Sequence, residues 1–235
     1  MNPTEGLVAR KVILRPQSTE KRDKILKLLQ ALSDNQRSAD CTAWCYLTPA
    51  TREGAILASF QDVRTPLIAG VEIYASPSAL SNSRASSFST DYNSRIKKDD
   101  LYAEDEEESL WYPVGGFVAR PSEQNPGKAG LILLASFVAQ EGDGKRDQFI
   151  EVLNKYAAWL FENDPTTLSY SAMTRPEVPN EIFLLERYKD SDALKSHVET
   201  EQFKTMYQET RSLIDPKQTV LSEWTEIDGT YLSDN

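Results

Sequence analysis

Apolar and polar positions along this chain fall into a pattern that occurs twice. Val8–Arg15 alternates as a strand does. From Glu20 to Leu32 the period lengthens to that of a helix, with Ile25, Leu28, Leu29 and Leu32 on one face. Cys41–Thr48 and Leu67–Tyr74 read as strands. A helix is expected from about Pro77, since proline suits a first turn, and Leu110–Arg120 is a fourth strand. The order then returns. Leu131–Ala139 reads as a strand, and Arg146–Phe161 as a helix with Phe149, Val152, Leu153, Tyr156 and Leu160 on its apolar stripe. Thr167–Thr174 and Ile182–Tyr188 are strand-like. Asp190–Ser212 is helical with Asp190 or Ser191 as its N-cap, and Thr219–Ile227 is the last strand.

Residue matches support a duplication. Lys21-Arg22-Asp23 aligns with Lys145-Arg146-Asp147, an offset of 124 that also puts Tyr46 on Tyr170. Glu72-Ile73-Tyr74 aligns with Glu186-Arg187-Tyr188, and Ala79-Leu80 with Ala193-Leu194, at an offset of 114. A ten-residue insertion around Glu53–Pro66 accounts for the difference. The expected units are 1–121 and 128–235, joined by the turn-rich Pro121–Gly127.

The segment Gly130–Val138 constrains how the units meet. Leu131, Leu133, Ala135 and Phe137 alternate with Ile132, Leu134 and Val138, so the strand is apolar on both faces and needs cover on both. Helices of its own unit cover one face, and the other unit supplies the second layer. The expected fold is α+β: two tandem ferredoxin-like β-α-β-β-α-β units pairing their sheets face to face as an intramolecular α+β barrel, a pseudo-dimer within one chain.

Composition narrows the function classes. The net charge of −10 disfavours a nucleic-acid backbone or an anionic membrane as partner. No stretch of about 18 apolar residues is present to span a bilayer. Met1–Leu7 lacks a basic segment followed by an apolar one, so a cytoplasmic location is expected. Cys41 and Cys45 do not form a Cys-x-x-Cys motif and read as small strand residues, while a single histidine makes a zinc site improbable. No glycine-rich nucleotide fingerprint, phosphate loop or nucleophile elbow is present. Ser76–Thr90 is serine-rich, and Ser81–Ser87 within it is a poor helix by propensity. Glu104–Glu108 reads as a solvated loop.

Glu186-Arg-Tyr-Lys-Asp-Ser-Asp-Ala-Leu-Lys-Ser-His197, with Phe203 downstream, resembles the signature of the antibiotic biosynthesis monooxygenase family of the dimeric α+β barrel superfamily. The likeness runs from about Ala129 to Asp228. In the first unit it holds only around Glu72–Leu80, where Ser83 replaces the histidine. The resemblance implies a pocket between each sheet and its helices. It also implies oxidation of an aromatic, polyketide-like small molecule by molecular oxygen, without metal, flavin or haem. A haem-degrading branch would need a further histidine, which Phe203–Tyr207 lacks.

On this reading His197 is the acid/base and Glu186 orients it, with activity mainly in the second unit. Tyr170, Tyr188, Tyr46 and Trp159 grip the substrate, and Asn180 and Arg175 line the pocket mouth. Each has a plainer role: His197 and Glu186 can fasten helix to sheet, the aromatics can be packing residues, and Asn180 and Arg175 can be turn residues. The same pocket would serve a cyclase, an isomerase or a non-catalytic binding or stress-related protein. Further homodimerisation is left open by the sequence.

Overall fold

The computed structural model describes residues 6–37, 40–50, 66–121 and 128–232; the expected insertion and most of the linker lie outside them. The first half runs β1 (Val8–Leu14), α1 (Thr19–Arg37), β2 (Cys41–Pro49), β3 (Ile68–Tyr74), α2 (Pro77–Ala85), α3 (Ser87–Lys98) and β4 (Glu107–Phe117). The second runs β5 (Leu131–Val138), α4 (Lys145–Asn163), β6 (Thr167–Thr174), β7 (Glu181–Tyr188), α5 (Ser191–Glu199), α6 (Glu201–Thr210), β8 (Val220–Glu226) and β9 (Tyr231–Leu232).

Within the halves the strand orders are β2-β3-β1-β4 and β6-β7-β5-β8, antiparallel throughout. The outer strands then pair across the halves. Tyr112–Phe117 of β4 runs against β6, and Leu47–Pro49 of β2 against β8. The two sheets thus do more than face each other: they close edge to edge into an eight-stranded barrel, with β9 continuing along β2. Closure leaves no free edge among those eight strands, which a pair of stacked sheets would expose.

β5 uses both its faces as its sequence demands. Ile132 and Leu134 point into the barrel with Val71, Ile73, Phe183 and Leu185. Leu131 and Leu133 point outward, with Tyr188, toward Ala193 and Leu194 of α5. The barrel interior also holds an ion pair. Arg187 Nε lies 2.5 Å from Glu226 Oε1, and both side chains are almost fully buried. Glu226 further accepts from the Ala129 amide at 2.8 Å. Cys41 and Cys45 are buried free thiols on β2.

The duplication is visible in detail. Trp111 Nε1 donates to Ser109 Oγ, and Trp224 Nε1 to Ser222 Oγ, each at 2.8 Å. The helix expected over Asp190–Ser212 is two helices, parted at Thr200. Its extended backbone ends α5, and its hydroxyl accepts from the Phe203 amide to cap α6. Ser86 does the same between α2 and α3, accepting from Ser89.

The helix expected from about Pro77 is present, and it continues as a second helix through the serine-rich segment. Ser76 and Ser86 supply N-caps, each such cap being worth about 1 kcal/mol, and Ala79, Leu80, Tyr92 and Ile96 supply buried faces. Capping and burial outweigh the poor propensity. One expectation fails in the first half: the acidic run is not merely a solvated loop, because Glu106 and Glu108 both bind the Arg10 guanidinium at 2.6 Å. The alignment of Tyr46 with Tyr170 is also two residues out. Opposite Glu72 on the neighbouring strand stands Trp44, whereas Tyr170 stands opposite Glu186. A two-residue shift keeps the same strand face, so Trp44 and Tyr46 share one.

Candidate functional site

Beneath the helices of the second half lies a cavity of about 130 Å³. Its walls are mostly apolar, with Leu133, Leu184, Leu194 and Phe203 among them, and its polar groups are few. Tyr170 from β6 and Glu186 and Tyr188 from β7 share the outer sheet face. His197 arrives on α5, three residues after Leu194, and so on the buried side of that helix.

Glu186 is the buried carboxyl group of this cavity. Tyr188 donates its hydroxyl to Glu186 Oε2. Burial holds the Glu186 carboxyl above the ordinary carboxylate range, although the nearby His197 ring and the Tyr188 bond oppose the rise. Burial and the Glu186 charge in turn push the Tyr188 phenol well up, so it stays a neutral donor.

His197 is not hydrogen-bonded to Glu186 as expected. Its Nδ1 faces Asp164 Oδ2 at 3.2 Å and Thr167 Oγ1 at 3.3 Å. A carboxylate can only accept, so Nδ1 carries a proton. Nε2 lies 3.1 Å from the Tyr156 hydroxyl. Both ring nitrogens are therefore engaged by the protein, and the imidazole meets the cavity with its carbon edges. Tyr156, Tyr188 and Phe203 surround it edge-on at centroid distances of 5.5, 5.1 and 5.4 Å. Burial would raise the Asp164 carboxyl, but hydrogen bonds from His197, Thr166 and Thr167 more than reverse this and hold it far below its usual value.

Of the residues expected to bind substrate, only Tyr170 and Tyr188 line this cavity. Tyr46 belongs to the other half, where its hydroxyl donates to Glu72 Oε1 at 2.5 Å. Trp159 stacks on Tyr156 from behind, 6.1 Å away and nearly parallel. Arg175 pairs with Glu181 and lies over the Trp111 ring, and Asn180 is an exposed turn residue whose carbonyl accepts from Ala139. These three miss the cavity because they leave the sheet at its end or sit on the wrong helix face. The sequence reading missed Asp164, Thr167 and Tyr156. Tyr156 had been placed on the apolar stripe, but no local signal linked Asp164 to a histidine 33 residues away.

A barrel closed within one chain, with a helix-covered cavity in each half, defines the class: a dimeric α+β barrel folded as a single polypeptide. Residues 134–209, within the second half of the chain, match the family model described as antibiotic biosynthesis monooxygenase. A Lactobacillus acidophilus structure, provisionally named a monooxygenase, is similar at 14% identity and a TM-score of 0.74, over 98% of this chain and 98% of that one. A Fusobacterium nucleatum structure with the same provisional name gives 14% and 0.75, over 100% and 97%. An anthrone oxidase-like protein gives 8% and 0.60, over 97% and 94%. At such identities the likeness is one of fold. No curated protein matches the chain.

Proposed function

We propose that the second half is a cofactor-independent monooxygenase acting on a small, electron-rich hydroxyarene, with molecular oxygen as co-substrate. The observation that carries this reading is one buried carboxyl group, Glu186, in an otherwise apolar cavity. A carboxylate whose basicity is raised by burial can take a phenolic proton, and an apolar wall keeps water from the resulting anion. The family match and the anthrone oxidase-like neighbour agree with such chemistry.

Atoms and electrons balance without another reductant. Glu186 removes a phenolic proton from a hydroquinone, and the electron-rich ring carbon delivers electrons to oxygen as a C–O bond forms. Loss of the ring hydrogen with cleavage of the O–O bond releases water and leaves a carbonyl. One hydroquinone and one oxygen thus give one hydroxyquinone and one water. Tyr188 and Tyr170 position the ring. His197 acts through its neighbours, as a positioning residue whose orientation Asp164 holds. A one-ring hydroquinone already requires α6 to move outward, and a three-ring substrate more so, since a cavity of about 150 Å³ accommodates benzene and this one is about 130 Å³.

The test is aerobic incubation of metal-free protein with substituted hydroquinones and anthrones, following oxygen uptake and product mass. Oxygen incorporation lost in Glu186→Gln supports the oxygenase. A product of unchanged mass assigns the pocket to a cyclase or isomerase. The engagement of both His197 nitrogens favours a binding protein as second reading, and tight binding without turnover across the panel would choose it.

A further inference from the structure

We propose that the first half holds a second ligand site, for a neutral, hydroxyl-rich ring of monosaccharide size. The site is the cavity between its sheet and α1–α3, about 270 Å³ against about 130 Å³ in the other half. The two cavities occupy equivalent places but differ in chemistry at two decisive positions. Arg10 faces Glu72 across the β1–β3 ladder, as Leu133 faces Glu186 across β5–β7. Ser83 stands on α2 where His197 stands on α5, seven residues after the respective caps Ser76 and Asp190. An apolar wall and an imidazole are thus replaced by a guanidinium and a hydroxyl.

The charges of this cavity satisfy one another. Arg10 binds Glu72 at 3.0 Å and Glu106 and Glu108 at 2.6 Å, and Arg84 binds Glu108 as well. A free anion would have to displace a carboxylate from Arg10, and a free cation would have to displace a guanidinium; either leaves a part-buried charge without its partner. A hydroxyl group avoids that conflict because it donates and accepts at once. Adjacent hydroxyls on a ring can bridge the alternating guanidinium and carboxylate groups without separating them.

Two further features fit such a ring. Trp44 and Tyr46, tilted against each other at 4.6 Å between ring centroids, form the aromatic floor of the cavity. The Gln36 amide oxygen accepts from Ser83 at 2.7 Å and from Tyr74 at 3.4 Å. Its nitrogen has no acceptor among the described residues, and it stands at the cavity as a donor for a ligand oxygen.

Saturation-transfer NMR and calorimetry on the full chain, with D-glucose and myo-inositol as probes and inorganic phosphate and benzylamine as charged comparators, test the assignment. At least one polyol should bind with a dissociation constant of about 1 mM or tighter. Asn93→Trp, at the exposed mouth on α3, and Arg84→Met, which removes donors, should each weaken that binding by about tenfold or more. Glu186→Gln should leave it unchanged, so this site and the proposed oxidation fail independently. The proposal is overturned if neither polyol binds, if binding ignores both first-half variants, or if phosphate or benzylamine alone occupies the cavity.

Discussion

His197 Nδ1 stands 3.2 Å from Asp164 Oδ2, a contact between an α5 side chain and the residue that ends α4. It fixes which nitrogen carries the proton and which way the ring faces. Asp164→Asn keeps the size but removes the charge. If His197 positions the site, turnover should fall and the pH profile of kcat should move, while KM changes little. A purely structural contact would lower Tm with kcat intact. Stability itself should respond to acid. The folded-state Asp164 carboxyl is held below its unfolded value of about 3.9, so its contribution is full above that pH and declines as the pH falls below it. In Asp164→Asn the acid limb of Tm against pH should be shallower.

Glu186 shifts the opposite way, and so does its linkage. Burial raises its folded pKa, so stability is greatest below the unfolded glutamate value and is lost as the pH rises through the folded one. Glu186→Gln removes the buried charge and retains an oxygen for the Tyr188 hydroxyl. Its Tm at pH 8 should exceed that of the parent by roughly 2–4 °C, the effect of about 1 kcal/mol in a chain of this size. At pH 4 the two should coincide. Turnover should fall by about 10²-fold or more, the usual loss with a general base. A gain in stability together with a loss of activity marks a functional strain rather than a packing residue.

Burial patterns and repeated residues made the framework legible in sequence. The two-faced Leu131–Val138 demanded cover on both sides, and the barrel supplies it. Alternation puts Glu186 and Tyr188 on one face of β7, and Tyr170 stands beside Glu186 on the neighbouring strand. Ser109-x-Trp111 and Ser222-x-Trp224 carry a further repeat signal. What alternation does not encode is which side chains meet across long separations. Asp164 with His197, and Arg10 with Glu106 and Glu108, depend on how helices and loops settle over the sheet. Arg175 and Asn180 stand at the strand-to-strand turn, as expected, but do not line the cavity.

The barrel interior makes a separate demand on charge. Arg187 and Glu226 are paired at 2.5 Å and shielded from water. Arg187→Met leaves Glu226 buried without its cation, which costs about 3–5 kcal/mol. Replacing both residues, as Arg187→Met with Glu226→Leu, should recover much of that loss, since apolar side chains of similar volume often substitute well for a buried pair. Urea denaturation of the two variants measures the difference. Equal destabilisation in the single and double variants would show that the pair's further bonds, including the one from the Ala129 amide, dominate instead.

Closure of the barrel predicts how the two halves of the chain depend on each other. Each sheet, taken alone, would present two unpaired edges and an apolar inner face. A chain divided between Gln124 and Asn125 should therefore give fragments that aggregate or self-associate when expressed singly. Expressed together, they should form a one-to-one complex, because β4–β6 and β8–β2 pairing needs no covalent linker. Size-exclusion chromatography and circular dichroism distinguish these states. A soluble, folded, monomeric second fragment would mean that its inner face is stable in water unpaired, contrary to the apolar character of Ile132, Leu134, Phe183 and Leu185. A self-paired second fragment would instead close a barrel from two copies of the second half. It would carry two Glu186 cavities, and its activity per chain should match that of the intact protein if the first half serves only to complete the barrel.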